Sequence, residues 1–352
     1  TAYAISLGLV GSEMCIRDRT HAASETAATQ TQDLPRLPED AYSTLGKAGA
    51  ESQIFFDSIA ECEHDPDKWK EAMHGFERWW TAQQTLLLLI ASQTAKFCAR
   101  STELVDNALS FPYGWDEIDP LSHQKPNNVQ RGKEPFVTVK QEDALKRAYD
   151  AAGHSDKVVG ILRMTKNNQC PRYMEQQKSD KNQDGDMFRR TDLSRIIDVC
   201  IDLFPKGKTT MRPDECLTHQ DVTIFRGPED KGYPFLKSPR KVHVIAAAAL
   251  NKPRLTADHV YCDPRQKTQM ERKCFVILGA AAKMGVTHLI LSAFGCGNCQ
   301  NPPKLVAQMF LKAMKTFPIP TVEICVHECA KSSNSGANFE AFRACFKDSP
   351  FD

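Results

Sequence analysis

Gly295 and Gly297 stand two residues apart between an apolar run, His288–Phe294, and a proline-led segment that begins at Asn301. Glycines lack Cβ, so a phosphate can approach their backbone N–H groups, and a helix that starts just beyond adds its own unpaired N–H donors. A bare G-x-G is more often only a tight connection, and its surroundings must decide. Cys296 and Cys299 in the same turn have C-x-x-C spacing, and a thiol near a helix start can be acidified for redox work. A structural role for the pair is the other reading of that spacing. Cys325, His327 and Cys329 would share one face of a strand and resemble part of a metal set. No second ligand pair has matching spacing, so no metal is expected.

The elements around that turn follow from periodicity. His288–Phe294 has strand length. Leu305, Val306, Met309, Phe310, Ala313, Met314 and Phe317 recur at helical spacing, and Pro302-Pro303 suits a first helical turn. The unit is strand, glycine turn, helix. In an open α/β sheet that turn lies at the carboxyl edge, where ligands bind. Strands are also expected at 136–139, 157–162, 221–225, 242–249 and 321–327. Helices are expected at 69–80, 85–109, 143–152, 193–203, 266–284 (closed by Gly285) and 338–346. The segment from Phe111 to Lys133 carries Pro112, Pro120 and Pro126 and reads as loop. The stretch 167–186 reads as polar and irregular. Strand–helix alternation in the last third implies parallel pairing with right-handed crossovers. Ala246–Ala249 has little bulk, so a neighbouring element or a ligand can come close there.

The chain has 352 residues, 41% hydrophobic and 25% charged, with a formal net charge of +1. This is ordinary globular composition with no bulk pull toward nucleic acid or membrane. Aliphatic runs such as Leu86–Ala91 are far too short to span a bilayer. Thirteen cysteines, several inside apolar runs (Cys200, Cys274, Cys325), fit a reducing, intracellular setting, cytoplasmic or nuclear. Residues 1–19 resemble translated adaptor sequence and are set apart from the fold. Thr20–Asp40 has almost no large apolar residues, and residues 20–50 are expected to be disordered. Residues 51–134 form an N-terminal helical region, and 135–352 form the main domain.

Four blocks in order resemble the microbial-type poly(ADP-ribose) glycohydrolase family, a branch of the macro domains. They are Val222–Arg226, Val244–Asn251, Arg272–Ala281 and, most specifically, Leu289–Gly297 with Asn301-Pro-Pro303 and Val306-Ala307. The resemblance covers about 136–346. It implies a three-layer α/β/α macro-domain sandwich on a mixed, largely parallel sheet that binds ADP-ribose. It further implies ligand contacts from Asn167, Gln183, Asn251, Ala293, Phe294, Gly295, Cys296, Gly297, Asn298 and Asn301. A branched side chain at Gly297 is expected to fill the phosphate space and to strain a backbone at positive φ.

One family block departs. The family has an asparagine near a strand end, three glycines after a proline, a spacer, then Gln-Glu-Glu and paired arginines. Here Arg189-Arg190 sets the register, which puts Arg172, Tyr173 and Met174 on the triple glycine, Asp184 on the first glutamate and Gly185 on the second, the family's acid. Cleaving a ribosyl bond needs a proton on the leaving oxygen, and glycine has none to give. The expectation is a divergent macro domain that binds ADP-ribose, or ADP-ribosylated protein, with hydrolysis lost or strongly reduced and no cofactor. The alternatives are a glycohydrolase with Asp184 as displaced acid, or a scaffold without ligand.

Overall fold

The computed structural model describes residues 65–75, 80–100, 110–117, 135–165, 182–200, 211–327 and 336–347. The expectations for residues 1–50, for Asn167, for Arg172–Met174 and for Cys329 lie outside them.

Seven strands form one sheet in the order β1-β4-β5-β3-β6-β7-β2. They are β1 Ser110–Gly114, β2 Phe136–Lys140, β3 Val159–Thr165, β4 Glu215–Arg226, β5 Phe235–Ala248, β6 His288–Leu291 and β7 Thr321–Cys325. The pairs β5–β3, β3–β6, β6–β7 and β7–β2 are parallel, while β4 runs antiparallel to both β5 and β1. β1 corrects the loop expected at Phe111. It lies at the sheet edge and pairs on one side only, with Pro112 opposite Leu217. An edge strand tolerates the N–H that proline lacks. The sheet therefore draws on chain from before residue 135.

The helices are α1 Pro66–Gly75, α2 Trp80–Arg100, α3 Ala144–Ala151, α4 Gln183–Arg190, α5 Leu193–Cys200, α6 Pro264–Lys283, α7 Pro303–Thr316 and α8 Ala337–Lys347. Strand alternation sends residues to opposite faces, and each face has its own core. Leu162, Ile245, Leu289 and Leu291 meet α6, α7 and α8 through Met270, Ile277, Phe310 and Phe342. Ile161, Val244 and Ile290 meet α3, α4 and α5 through Leu145, Phe188 and Ile196. Two helical layers on one sheet make the three-layer α/β/α architecture. Outside the second layer, α2 fastens to α4 and α5. Thr94 donates to the Arg189 carbonyl at 2.7 Å, and Arg195 donates to the Cys98 carbonyl. No helix among the described residues is long and apolar enough to cross a membrane.

The helix α4 corrects the irregular structure expected through 186. Asn182 caps it, accepting from the Gly185 N–H at 2.8 Å, with Asp184 and Asp186 in the first turn and Arg189 and Arg190 in the last. That charge order suits the helix dipole. Of the metal-like trio, Cys325 and His327 are described. β7 ends at Cys325, which is buried, while His327 is exposed, so strand alternation does not carry through. Among the described residues no group of three ligating side chains could hold a metal ion.

Asp192, fully buried, accepts from the Thr223 N–H at 2.7 Å and ties the start of α5 to β4. Burial pushes its carboxyl up to about 6. The folded chain thus holds this proton more tightly than the unfolded chain does. The associated stability is full below about pH 4 and is lost as pH rises through about 6, up to roughly 3 kcal/mol. Asp192→Asn keeps the acceptor for Thr223. Thermal unfolding followed from pH 4 to 7 should show the wild type losing stability relative to this variant. Parallel profiles would contradict the assignment.

Candidate functional site

The parallel strands β5, β3 and β6 end on one edge, and the connections that follow them meet there. The turn after β6 is built by its own backbone. Cys296 N–H donates to the Ala293 carbonyl at 3.0 Å, Gln300 N–H to Gly297 at 2.8 Å and Asn301 N–H to Gly295 at 3.0 Å. Gly295 has φ +71°, and a Cβ there would stand 2.3 Å from the Ala249 Cβ and 2.8 Å from the Asn301 amide nitrogen. Both conformation and space exclude a side chain. The low bulk at the end of β5 is therefore used by this turn, which comes down onto Ala249.

Asn301 is buried and locks that approach. Its amide nitrogen donates to the carbonyls of Leu250 at 2.7 Å, Gly295 at 3.0 Å and Cys299 at 3.4 Å, and its carbonyl accepts from the Tyr261 hydroxyl at 3.0 Å. The Lys252 N–H donates to the Cys299 carbonyl at 2.9 Å. The turn and the β5 connection are thus one laced unit, and the Asn301 side chain is spent on building it rather than turned toward a ligand. Phe294 and Cys296 also turn inward. Phe294 packs 6.3 Å from the Phe310 ring centroid, and burial holds the Cys296 thiol above its usual range. Cys299 is half-buried and its thiol is also raised by burial, the opposite of what redox chemistry needs. Of the residues expected at the ligand, Asn251, Gly297 and Asn298 are exposed and Ala293 and Gly295 half-buried.

Gly297 differs from its expected role. Its φ is not in the left-handed region, and a Cβ there would meet nothing within 4 Å. The strained position is Gly295, and Gly297 opens onto free space.

On the other side of the edge, β6 pairs with β3 only as far as Ile161. The Gln183 amide takes over beyond that point. Its nitrogen donates to the Leu162 carbonyl at 3.0 Å and reaches Ser292 Oγ at 3.5 Å, while its oxygen accepts from the Met164 N–H at 3.3 Å. Gln183 so fixes the start of α4 beside the turn. Asp184, the next residue, points inward onto Arg163 of β3. Both side chains are buried, with Asp184 1% exposed, and the guanidinium also sits 4.8 Å from the Phe188 ring centroid. Gly185 is buried in the first turn of α4 and its N–H is used by the Asn182 cap.

The arginine pair is structural. Arg189 Nε donates to the Tyr233 hydroxyl at 2.8 Å. Arg190 bonds Asp143 at 2.6 Å and Asp186 at 2.7 Å. Burial opposes the Arg190 charge, and the two carboxylates outweigh it and raise its pKa. Sequence reasoning missed Arg163, Ser292 and Tyr261. The signal for Tyr261 as a buried anchor is its aromatic ring in a polar stretch.

These contacts predict opposite outcomes at neighbouring glycines. Gly295→Ala should lower unfolding free energy by more than about 2 kcal/mol through strain and overlap. Gly297→Ala should change it by less than about 0.5 kcal/mol, as at open surface sites. Denaturant titration of both variants decides it, and equal losses would refute the geometry.

No family model matches the sequence, and no curated protein matches it. Solved structures do share the fold. The chain is similar to poly(ADP-ribose) glycohydrolase from Thermomonospora curvata, with TM-score 0.57 and 19% identity over 74% of this chain and 99% of that one. The structure of that enzyme bound to the inhibitor ADP-HPD gives TM-score 0.55 and 17% identity, with the same coverage. Poly(ADP-ribose) glycohydrolase from Deinococcus radiodurans in complex with ADP-ribose gives TM-score 0.50 and 20% identity over 70% of this chain and 97% of that one. The fold is that of the microbial poly(ADP-ribose) glycohydrolases.

Proposed function

We propose that the protein binds ADP-ribose, free or attached to protein, through the 293–301 turn and does not hydrolyse the ribosyl bond at an appreciable rate. The observation that carries the reading is the contrast between the two halves of the edge. The turn keeps its glycines, its close approach to β5 and its Asn301 lacing, all of which serve to present backbone toward an anion. Among the described residues, the α4 half offers no side chain placed to give a proton. Position 185 is glycine, and Asp184 is turned away into an ion pair with Arg163. A general acid must reach the leaving oxygen, so a buried carboxylate facing the opposite way is unsuited to the role. Asp184 acts instead as a support that holds α4 to β3, and removing one member of such a buried pair is costly.

The Gly297 backbone and the exposed Asn298 and Asn251 stand nearest to an incoming diphosphate and ribose. Two solved proteins of the same fold hold ADP-HPD or ADP-ribose, which supports the choice of ligand. The free state of all described cysteines is compatible with an intracellular location, cytoplasmic or nuclear.

Calorimetric titration with ADP-ribose should give one saturable site. Gly297→Val, which projects a branched side chain into the open space at the turn, should weaken binding at least tenfold with an unchanged melting temperature. Poly(ADP-ribose) incubated with the protein should release no ADP-ribose. Gly185→Glu, compatible with the helical backbone there, should restore little turnover alone, because positioning and proton donation act together. Rapid turnover by the unaltered chain would overturn the reading.

A further inference from the structure

The sheet ends at β2, and among the described residues no strand pairs with its outer side. β2 runs parallel to β7 along its whole length, from Phe136 opposite Thr321 to Lys140 opposite Cys325. The Phe136 N–H donates to the Pro320 carbonyl at 3.0 Å, and the Lys140 carbonyl accepts from the Val326 N–H at 2.8 Å. Backbone groups point to alternate sides along a strand, so Phe136, Thr138 and Lys140 turn theirs toward β7. Val137 and Val139 therefore turn two N–H groups and two carbonyls outward, an open template for another strand. Pro135 continues that outer row, but it has no N–H and closes it.

The side chains of β2 divide between the two faces. Val137 and Val139 pack into the core on the α7 and α8 side. Phe136, Thr138 and Lys140 share the α3 face. Phe136 is 62% exposed, the most of the large apolar side chains described. Thr138 Oγ1 is buried and has no hydrogen-bond partner among the described residues. The Lys140 ammonium lies 2.7 Å from the buried Glu323 carboxylate, which also meets Arg147 at 2.6 Å and His288 at 2.7 Å. Lys140 is thus tethered on this face. An open ladder, an exposed ring and an unpartnered hydroxyl lie together on one short strand, and its only charge stands at the end.

The strand is complementary to itself. In antiparallel pairing centred on Thr138, Val137 lies opposite the partner's Val139, and the outward groups of each strand close on those of the other. Thr138 lies opposite the partner's Thr138, in the non-hydrogen-bonded position where side chains come closest, and the two hydroxyls can bond each other. Phe136 lies opposite the partner's Lys140, with its ring against the alkyl stem and beside the ammonium. Parallel pairing in register would instead set Lys140 against the partner's Lys140, which is repulsive.

We propose that β2 is a homodimer edge, paired antiparallel about Thr138 with β2 of a second copy of this chain. The two sheets then join into one, with their carboxyl edges turned in opposite directions. The turn at Gly295 follows β6, two strands in from β2, so it stays open in both protomers.

Sedimentation of the full chain over a dilution series, with the wild type and two Phe136 variants, is the first test. Phe136→Lys places like charge against the partner's Lys140 and should weaken the dimer at least tenfold. Phe136→Glu places opposite charge there and should stay within threefold of the wild type. The exposure of Phe136 makes unchanged melting temperatures the expectation for both variants. Thr138→Cys, oxidised with glutathione disulfide, should give a disulfide-linked dimer that reduction reverses. The wild type, with its thirteen native cysteines, should give none under the same treatment. A wild type that remains monomeric would overturn the proposal. A dimer that Phe136→Lys leaves intact would place the interface elsewhere and overturn it as well. Equal weakening by both Phe136 variants, or no crosslink from Thr138→Cys, would overturn the pairing about Thr138.

Discussion

The close approach of Gly295 to Ala249 is the constraint on which this edge depends. Two connections leave neighbouring parts of the sheet, and they can touch only because one offers a methyl group and the other no side chain at all. The Asn301 amide then donates to carbonyls of both connections, Leu250 on one and Gly295 and Cys299 on the other. Tyr261 completes the set from the far side. The rest of the turn takes its shape from this contact. The α7 helix starts at Pro303 because Asn301 and Pro302 are already held, and its apolar face then drops onto the β6 side of the core.

The α4 side of the edge is built differently. It rests on buried charge rather than on close backbone packing. Arg163, Arg189 and Arg190 are each at most 1% exposed. Their partners include Asp184, the Tyr233 hydroxyl, Asp143 and Asp186. Buried ion pairs add little net stability, yet they are costly to break singly, so they specify how α4 sits against β3. Gln183 is held by the same arrangement at the end of β3. A helix so fixed keeps Asp184 turned inward on Arg163 and Gly185 buried in its first turn.

The turn and its flanking strand and helix were legible because their signals are local: an apolar run, paired glycines, paired prolines and a clean helical period. The alanine-rich end of β5 was legible as a place of close approach, though not which element would approach. What the sequence concealed was tertiary. Pro112 argues against a strand unless the strand is known to be an edge, and β1 is an edge only because β4 lies beside it. Asn182 and the ordered charges of α4 were a helix signal, obscured by a polar composition without an apolar stripe. The inward turn of Asp184 depends on Arg163, twenty-one residues away on another element, and no spacing rule reveals it. The exchange of roles between Gly295 and Gly297 also needed coordinates, since both glycines look alike in sequence.

The central claim is that backbone N–H groups of the 293–301 turn receive an ADP-ribose diphosphate. Amide hydrogen exchange with and without ADP-ribose measures those groups directly. Binding as described should slow exchange at Gly295, Gly297 and Asn298, while the Asn301 N–H, already bonded to Gly295, should change little. Saturating ligand that leaves the turn unprotected, or that protects only amides elsewhere, would contradict the account.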